Sequence, residues 1–122
     1  MKCDRCGYDV PEGAVCLNCS ENRGFKKDAG KPRPGLVSAE AMMGLSRVLA
    51  YGAKKYSDDN WRKGMPYRRV ADALMRHLFS FLDGEDRDPE TGELHIDHIQ
   101  CNAHFLSHYQ HTNTGTDDRF KK

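Results

Sequence analysis

From about residue 38 to residue 110, apolar residues recur every three or four positions, which is the spacing of one face of an α-helix. Polar segments with glycine and proline interrupt this pattern twice, and such segments favour turns and loops. The pattern therefore predicts three main helices, at about residues 38–56, 68–83 and 94–110. Strand-like alternation is absent outside the first twenty residues, so the predicted fold class is all-α.

The predicted helices carry recognisable end signals. Ser38 is a favourable N-cap residue with Glu40 in the first turn, and Gly84 suits the C-terminal cap of the second helix. Residues 89–92, Pro-Glu-Thr-Gly, are a predicted turn. So short a connection favours an antiparallel arrangement of the second and third helices. On the third helix, the pattern assigns four polar residues to a solvated face: Asp97, His104, His108 and His111.

Four of the five cysteines form two Cys-x-x-Cys pairs within the first nineteen residues. Each pair can present two thiolates from a tight turn, and Gly7 follows the first pair, where such a turn needs a positive φ. Two pairs make a closed four-thiolate site typical of structural Zn²⁺. Disulfides or free thiols are the alternative, but no secretory signal precedes the cysteines. The predicted zinc ligands are Cys3, Cys6, Cys16 and Cys19.

These observations divide the chain into a zinc-ribbon or zinc-knuckle module over residues 1–24, a small antiparallel helical domain over 25–112 and a flexible tail over 113–122. A mean hydropathy of −0.80 over 122 residues leaves a modest core, so a homo-oligomer, dimer or tetramer, is expected to bury further surface. The net charge of +1 makes nucleic acid an unexpected partner. No apolar run could span a membrane, so the expected location is the cytoplasm.

Titratable residues that could carry chemistry gather in the second half of the chain. Glu85 and Asp88 form an E-x-x-D pair, and two carboxylates three positions apart on a helix could share one hard cation such as Mg²⁺. Pro89 disfavours helical geometry at Asp88, so the pair is expected to converge from a helix end and a turn. His77 and His98 border the apolar faces of their helices and would join the pair if these helices are antiparallel.

Cationic and aromatic residues form a second candidate set. Lys31 and Arg33 lie beside a glycine before a predicted helix start, where ammonium, guanidinium and backbone amide groups favour phosphate. Further along, cations accompany the chain's single tryptophan, on which a base could stack. Ordinary surface solvation is the alternative for each residue of this second group: Lys55, Asn60, Trp61 and Arg62.

Taken in order, a series of short motifs resembles the phage-type dATP/dGTP diphosphohydrolase family (MazZ-like) over about residues 25–110. The resemblance implies hydrolysis of a purine deoxynucleoside triphosphate to the monophosphate and pyrophosphate with a divalent metal, Mg²⁺ or Mn²⁺. It also implies an origin in phages and hence the host cytoplasm. The motifs are KDAGKPR (27–33), YGAKKY (51–56), NWR (60–62), ALMRH (73–77), GEDRD (84–88), TG (91–92) and His95-x-x-His98.

The related all-α nucleoside triphosphate pyrophosphohydrolases (MazG-like) carry an E-x-x-E pair before their E-x-x-D pair, and they oligomerise. Here Glu40 is followed three positions later by Met43, so the first pair is missing. Glu40, His77 and His98 are candidate replacements in the catalytic metal site. Two other functions stay open at this point: nucleotide binding without turnover, and a zinc ribbon that binds a protein partner or nucleic acid.

Overall fold

The computed structural model describes residues 1–19 and 24–121, and their contacts divide the chain into two compact units, Met1–Leu36 and Val37–Lys122. The boundary between the units therefore falls later in the chain than the predicted one. Within the described ranges there are helices and isolated bridges but no strand, which confirms the all-α class.

The described part of the N-terminal unit, residues 1–19 and 24–36, contains turns and two short 3₁₀ helices, Leu17–Cys19 and Pro34–Leu36. Lys2 and Asp9 form an antiparallel bridge that closes a loop at the start of the chain. Gly7 has a φ of +82° in that loop, as the turn after the first cysteine pair requires. This local geometry brings the first two cysteines to one side of a tight turn.

The second unit contains three α-helices, α1 (Ala39–Lys55), α2 (Tyr67–Leu82) and α3 (His95–Thr112), with a 3₁₀ helix at Asn60–Lys63 between the first two. All three predicted helices are confirmed, and their predicted ends agree within two residues. The Ser38 hydroxyl accepts a backbone N–H of the first turn of α1, so this predicted N-cap is also confirmed.

Helices α2 and α3 are antiparallel, as the short connection between them predicts. The rings of Tyr67 and Tyr109 stack at 6.2 Å where α2 begins and α3 ends. At the other end of the pair, the rings of His77 and His98 stack at 4.3 Å. This arrangement places the C-terminal half of α2 beside the N-terminal half of α3, where most of the predicted site residues lie.

Helix α1 packs closely on α3 because Gly44 has no side chain at their crossing. A Cβ atom built on Gly44 would overlap the carboxylate of Asp97, which is only 6% exposed. The prediction that Asp97 lies on a solvated face is therefore wrong. The helical spacing is correct, but the side that it assigned to solvent is covered by α1, which the sequence pattern of α3 alone does not reveal.

Residues that follow α3 accept hydrogen bonds from the first backbone N–H groups of α2. Pro66 is the N-cap of α2 and its side chain makes no capping hydrogen bond. The carbonyl oxygen of Thr116 accepts the N–H of Tyr67 at 2.9 Å, and Asp118 Oδ1 accepts the N–H of Arg68 at 2.9 Å. These two acceptors satisfy backbone donors that a helix start otherwise leaves unpaired. The segment predicted to be a flexible tail thus packs on the helical unit.

The core of this unit is small, as its composition predicts. Its buried apolar residues are Val48, Val70, Cys101 and Tyr109. Several large apolar side chains of α2 remain exposed, among them Phe79 at 56% and Leu82 at 68%. In the part of the chain that is described, no helix combines the length and apolar character that a membrane span requires.

Candidate active site

A cavity of about 630 Å³ opens among the three helices and their connecting segments. Its lining includes His77, Asp88 and His98. The same cavity is lined by aromatic, amide and charged residues from α1, the 3₁₀ helix, the turn between α2 and α3, and α3, including Tyr51, Lys55, Asn60, Trp61, Glu90 and Asn102. The volume lies within the usual range of small-molecule sites.

Three residues in this cavity could hold a metal ion together. Asp88 Oδ2 lies 3.8 Å from His77 Nδ1 and 3.8 Å from His98 Nε2. One ligand atom from each of the three residues falls within 4.8 Å of the others. All three side chains are largely shielded from solvent, with exposures of 11–19%. We call His77, Asp88 and His98 the histidine–aspartate cluster.

The turn between α2 and α3 positions the carboxylate of this cluster. Helix α2 ends at Leu82, and Asp88 lies well beyond it, in agreement with the effect expected of Pro89. The carbonyl oxygen of Asp88 accepts the N–H of Gly92 at 2.8 Å, and its Oδ1 accepts the N–H of Glu90 at 2.7 Å. The turn therefore fixes the backbone and one carboxylate oxygen, and it leaves Oδ2 directed between the two histidines.

Burial favours the neutral form of the two histidines of the cluster. It lowers the pKa of His77 below the ordinary value of 6.5, and the neighbouring His98 lowers it further. Burial also lowers the pKa of His98, although the negative charge of Asp88 opposes this effect. A neutral imidazole retains the nitrogen lone pair that binds a metal ion, so both rings are available as ligands at neutral pH.

Hydrogen bonds connect the cluster to His95 and Glu85, and the part of His95 in them was not predicted from the sequence. His95 is only 3% exposed; its Nε2 lies 2.7 Å from Glu85 Oε1, and its Nδ1 lies 2.9 Å from His77 Nδ1. An ionised carboxylate only accepts hydrogen bonds, so His95 Nε2 carries the proton. Glu85 thus contacts the cluster through His95. The spacing of His95 and His98, three residues apart on one helix, was the available signal.

The remaining predicted catalytic residue, Glu40, lies in the first turn of α1, where its carboxylate accepts a hydrogen bond from Ser38 at 3.3 Å. It is exposed and is not among the residues that line the cavity. Of the predicted phosphate-binding residues, Lys55 lines the cavity and lies 3.6 Å from Glu90. Lys31 and Arg33 belong to the N-terminal unit.

Trp61 lines the cavity and is held by an aromatic cluster. Its ring stacks on Phe105 at 5.0 Å and contacts His104 at 5.0 Å and His108 at 4.9 Å. Arg62 lies over the same ring at 4.6 Å. His104 and His108 are half-buried, so their predicted place on a solvated face is wrong. The 3₁₀ helix covers this side of α3, and only the fold shows that cover.

In the N-terminal unit, the four predicted zinc ligands come together. The Sγ atoms of Cys3 and Cys19 lie 3.4 Å apart, and those of Cys6 and Cys16 lie 3.6 Å apart. Thiolates at about 2.3 Å from a tetrahedral Zn²⁺ are separated by roughly 3.8 Å, so the four sulfurs fit such an ion. The backbone N–H groups of Cys6 and Arg5 lower the pKa of Cys3 to about 6, which favours its thiolate.

We expect the purified chain to contain zinc bound by these four sulfurs. Replacing Cys6 by serine should lower the zinc content by at least about tenfold, because a structural four-thiolate site needs all its ligands. Elemental analysis after extensive dialysis measures this. The matched control is Cys101→Ala, which removes a cysteine of α3 that lies outside the cluster. Full zinc content in Cys6→Ser would contradict the assignment.

Comparison with known proteins agrees with the resemblance seen in the sequence. Residues 21–119 match the family described as dATP/dGTP diphosphohydrolase, N-terminal, and the chain belongs to this family. A relative from Salmonella phage PMBT28, named dATP/dGTP diphosphohydrolase, is 33% identical over 96 residues. The matched region covers 79% of this chain but 33% of that relative, so the chain spans about a third of the relative's length. No solved structure matches the chain.

Proposed function

We propose that this chain hydrolyses purine deoxynucleoside triphosphates, dATP and dGTP, to the monophosphate and pyrophosphate in a metal-dependent reaction. The observation that carries the proposal is the shared cavity, which is lined both by the histidine–aspartate cluster and by Trp61. A nucleotide needs a charged centre for its phosphates and a flat apolar surface for its base, and one cavity supplies both. Membership of the family and the name of the phage relative support the same substrate class.

In this proposal, the histidine–aspartate cluster holds the divalent metal, for which Mg²⁺ or Mn²⁺ is the expectation from the family resemblance. When bound, such an ion polarises a phosphoryl oxygen and lowers the pKa of a bound water. Asp88 supplies the negative ligand, and the neutral rings of His77 and His98 supply nitrogen lone pairs. Glu85 supports the cluster through His95. Glu40, exposed on the first turn of α1, has no part in this arrangement.

Lys55 is the proposed phosphate ligand within the helical unit. Its ammonium group lines the cavity, and it lies close to Glu90, on the turn that also carries Asp88. A triphosphate entering the cavity would offer Lys55 a stronger partner than an exposed carboxylate does. Lys31 and Arg33, which follow the turn at Gly30 in the N-terminal unit, are proposed as phosphate ligands on the basis of their charge and this turn alone.

Trp61 is the proposed stacking surface for the base, with Asn60 beside it and with Arg62, which lies over the ring, moving aside to admit the base. We expect Trp61→Ala to raise the KM for dGTP by about 5-fold or more, because base–aromatic stacking contributes roughly 1–3 kcal/mol. Trp61→Phe is the matched variant and should recover most of this loss, since it restores an aromatic face. Steady-state kinetics with dGTP measure the effect. An unchanged KM in Trp61→Ala would place the base elsewhere.

The proposal also includes a homo-oligomer, either a dimer or a tetramer. Met75, Phe79 and Leu82 recur at helical spacing on α2 and leave a large apolar surface exposed. A second copy of the chain would cover this surface, which the small core of one copy leaves open. A phage enzyme acting on the deoxynucleotide pool would work in the host cytoplasm, and structural Zn²⁺ would hold the N-terminal unit together.

A nucleotide panel tests the proposed activity. The zinc-containing chain is incubated separately with the four common deoxynucleoside triphosphates and four ribonucleoside triphosphates in the presence of Mg²⁺ or Mn²⁺, and released pyrophosphate is measured. The proposal expects pyrophosphate from dATP and dGTP at higher rates than from pyrimidine nucleotides. Tight binding of dGTP with no product would instead show a protein that sequesters nucleotides, and the absence of both would remove the proposal.

A further inference from the structure

We infer that the histidine–aspartate cluster selects a divalent transition metal over Mg²⁺. The inference deepens the proposed function, since it concerns the metal of the same cavity, and it rests on that function only for the role of the ion. His77 and His98 offer nitrogen and Asp88 offers oxygen. Mg²⁺ prefers oxygen ligands and retains much of its water. Two imidazoles with one carboxylate are instead typical of first-row transition metals.

The position of Glu85 preserves this nitrogen-rich ligand set. An E-x-x-D pair that converged on one ion would supply two carboxylates, as Mg²⁺ favours. In the structure, Glu85 Oε1 instead lies 2.7 Å from the Nε2 of buried His95. The carboxylate is therefore engaged behind the cluster. Carboxylates that support a metal site ordinarily accept a hydrogen bond from a ligating histidine, whereas Glu85 reaches the ligand His77 through His95.

His95 connects Glu85 to the cluster and restrains the ring of His77. Since His95 Nε2 donates to Glu85, the Nδ1 of an uncharged His95 accepts the hydrogen bond from His77 Nδ1, 2.9 Å away, and binding of an ion through His77 Nδ1 requires its proton to move to His77 Nε2. The ring of His77 is also stacked on that of His98, with an interplanar angle of 7°. The hydrogen bond to His95 and the stacking contact with His98 together restrain the His77 ring. Its orientation is therefore fixed before an ion binds, which is not the case for an exposed surface histidine.

The spacing within the cluster suits a small divalent ion after a slight contraction. Bonds of about 2.0–2.2 Å to nitrogen and oxygen place neighbouring ligand atoms roughly 3 Å apart. The distances from Asp88 Oδ2 to the two histidines are both 3.8 Å. The hydroxyl of Thr91 lies 2.7 Å from His98 Nε2, so an ion that binds this nitrogen has to displace that hydrogen bond.

Electron paramagnetic resonance of Mn²⁺ can test this site separately from the four cysteines. Four thiolates bind Zn²⁺ more tightly than two imidazoles and a carboxylate do, so the full chain is first supplied with one equivalent of zinc, which fills the four cysteines and leaves the cluster for Mn²⁺. Mn²⁺ is then titrated without nucleotide, and the unbound ion is measured. We expect one Mn²⁺ per chain in addition to zinc, with pulsed spectra that show coupling to imidazole ¹⁴N. An equimolar amount of Mg²⁺ should leave most Mn²⁺ bound, because Mg²⁺ prefers oxygen ligands and two of the three ligands are imidazoles.

Three variants define which residues bind the ion. His98→Gln should weaken Mn²⁺ binding by at least about 10-fold and reduce the ¹⁴N coupling, because it removes a direct ligand. Glu85→Gln keeps an oxygen acceptor for His95 and should weaken Mn²⁺ binding less than His98→Gln does, by roughly 10-fold, the lower end of the range for residues that support metal ligands. His111→Gln alters an exposed histidine of α3 and is the matched control. Far-ultraviolet circular dichroism checks that each variant is folded.

Loss of Mn²⁺ at equimolar Mg²⁺, or wild-type spectra without ¹⁴N coupling, would overturn the inference and indicate an all-oxygen site. A much greater loss of binding in Glu85→Gln than in His98→Gln would do the same. These outcomes differ from failure of the proposed function. If Mn²⁺ binds as described and no nucleotide is hydrolysed, the metal site stands and the proposed activity does not.

Discussion

Asp88→Asn is expected to lower the rate of dGTP hydrolysis by at least about 100-fold, which corresponds to roughly 2.7 kcal/mol in the transition-state barrier. Asp88 supplies the carboxylate of the histidine–aspartate cluster, between the two imidazoles. Asparagine has nearly the same shape and can still accept the N–H of Glu90, so the turn should persist. The negative charge that attracts a divalent ion is lost. Initial rates of pyrophosphate release at saturating dGTP measure the effect.

Asp86→Asn is the matched control for this change. Asp86 lies two residues earlier in the same turn, is exposed, and supports His95 through its backbone carbonyl oxygen rather than its side chain. Its variant should retain the wild-type rate within about twofold, the scatter of an ordinary surface substitution. Wild-type turnover in Asp88→Asn, with both variants folded, would show that the chemistry does not use the cluster.

Gly44→Ala is expected to destabilise the helical unit by about 1–3 kcal/mol. The new methyl group would overlap the carboxylate of buried Asp97, so α1 and α3 would have to separate or the carboxylate would have to move. Replacing glycine by alanine in a helix interior ordinarily stabilises the helix by up to about 1 kcal/mol. A destabilising effect of Gly44→Ala would therefore indicate the overlap with Asp97. Thermal unfolding followed at 222 nm should show a melting temperature lower by several degrees.

Gly52→Ala provides the opposite expectation on the same helix. Nothing lies within 4 Å of a Cβ built on Gly52, so alanine there gains helix propensity without overlap and should raise the melting temperature. The pair of variants separates packing from propensity. Equal stabilisation by both changes would contradict the close approach of α1 to Asp97.

The helices were predictable because their signals are local. Apolar spacing, the Ser38 N-cap and the short turn before α3 each act within a few residues, and all three are confirmed. The buried position of Asp97 was not predictable in the same way. It depends on Gly44, which lies more than fifty residues earlier in the chain. Helical periodicity identifies the apolar face of a helix, but it does not show whether another helix also covers the polar face.

The capping of α2 was beyond sequence reasoning for a similar reason. Its two acceptors come from Thr116 and Asp118, at the far end of the helical unit. A polar, glycine-containing C-terminal segment is ordinarily frayed, and nothing in its composition indicates a partner. Long-range backbone hydrogen bonds leave no pattern in the sequence of either segment.

The candidate site was partly predictable. Antiparallel α2 and α3 bring His77, Asp88 and His98 together, as the sequence analysis expected. Glu85 and Asp88 do not form a pair on one helix face, because α2 ends at Leu82. The rule that helical residues three positions apart share a face therefore does not apply to them. His95, which connects Glu85 to the cluster, shows its role only when both of its ring nitrogens are seen to have partners.

The most direct test of the proposed hydrolysis is the identity of its products. The zinc-containing chain, supplied with Mn²⁺ and dGTP, is followed by ³¹P nuclear magnetic resonance until the substrate is consumed. Cleavage between the α- and β-phosphates predicts dGMP and pyrophosphate in equal amounts, with no dGDP intermediate. Accumulation of dGDP and inorganic phosphate, or dGTP that remains intact, would contradict the assignment of this cavity to a nucleoside triphosphate diphosphohydrolase.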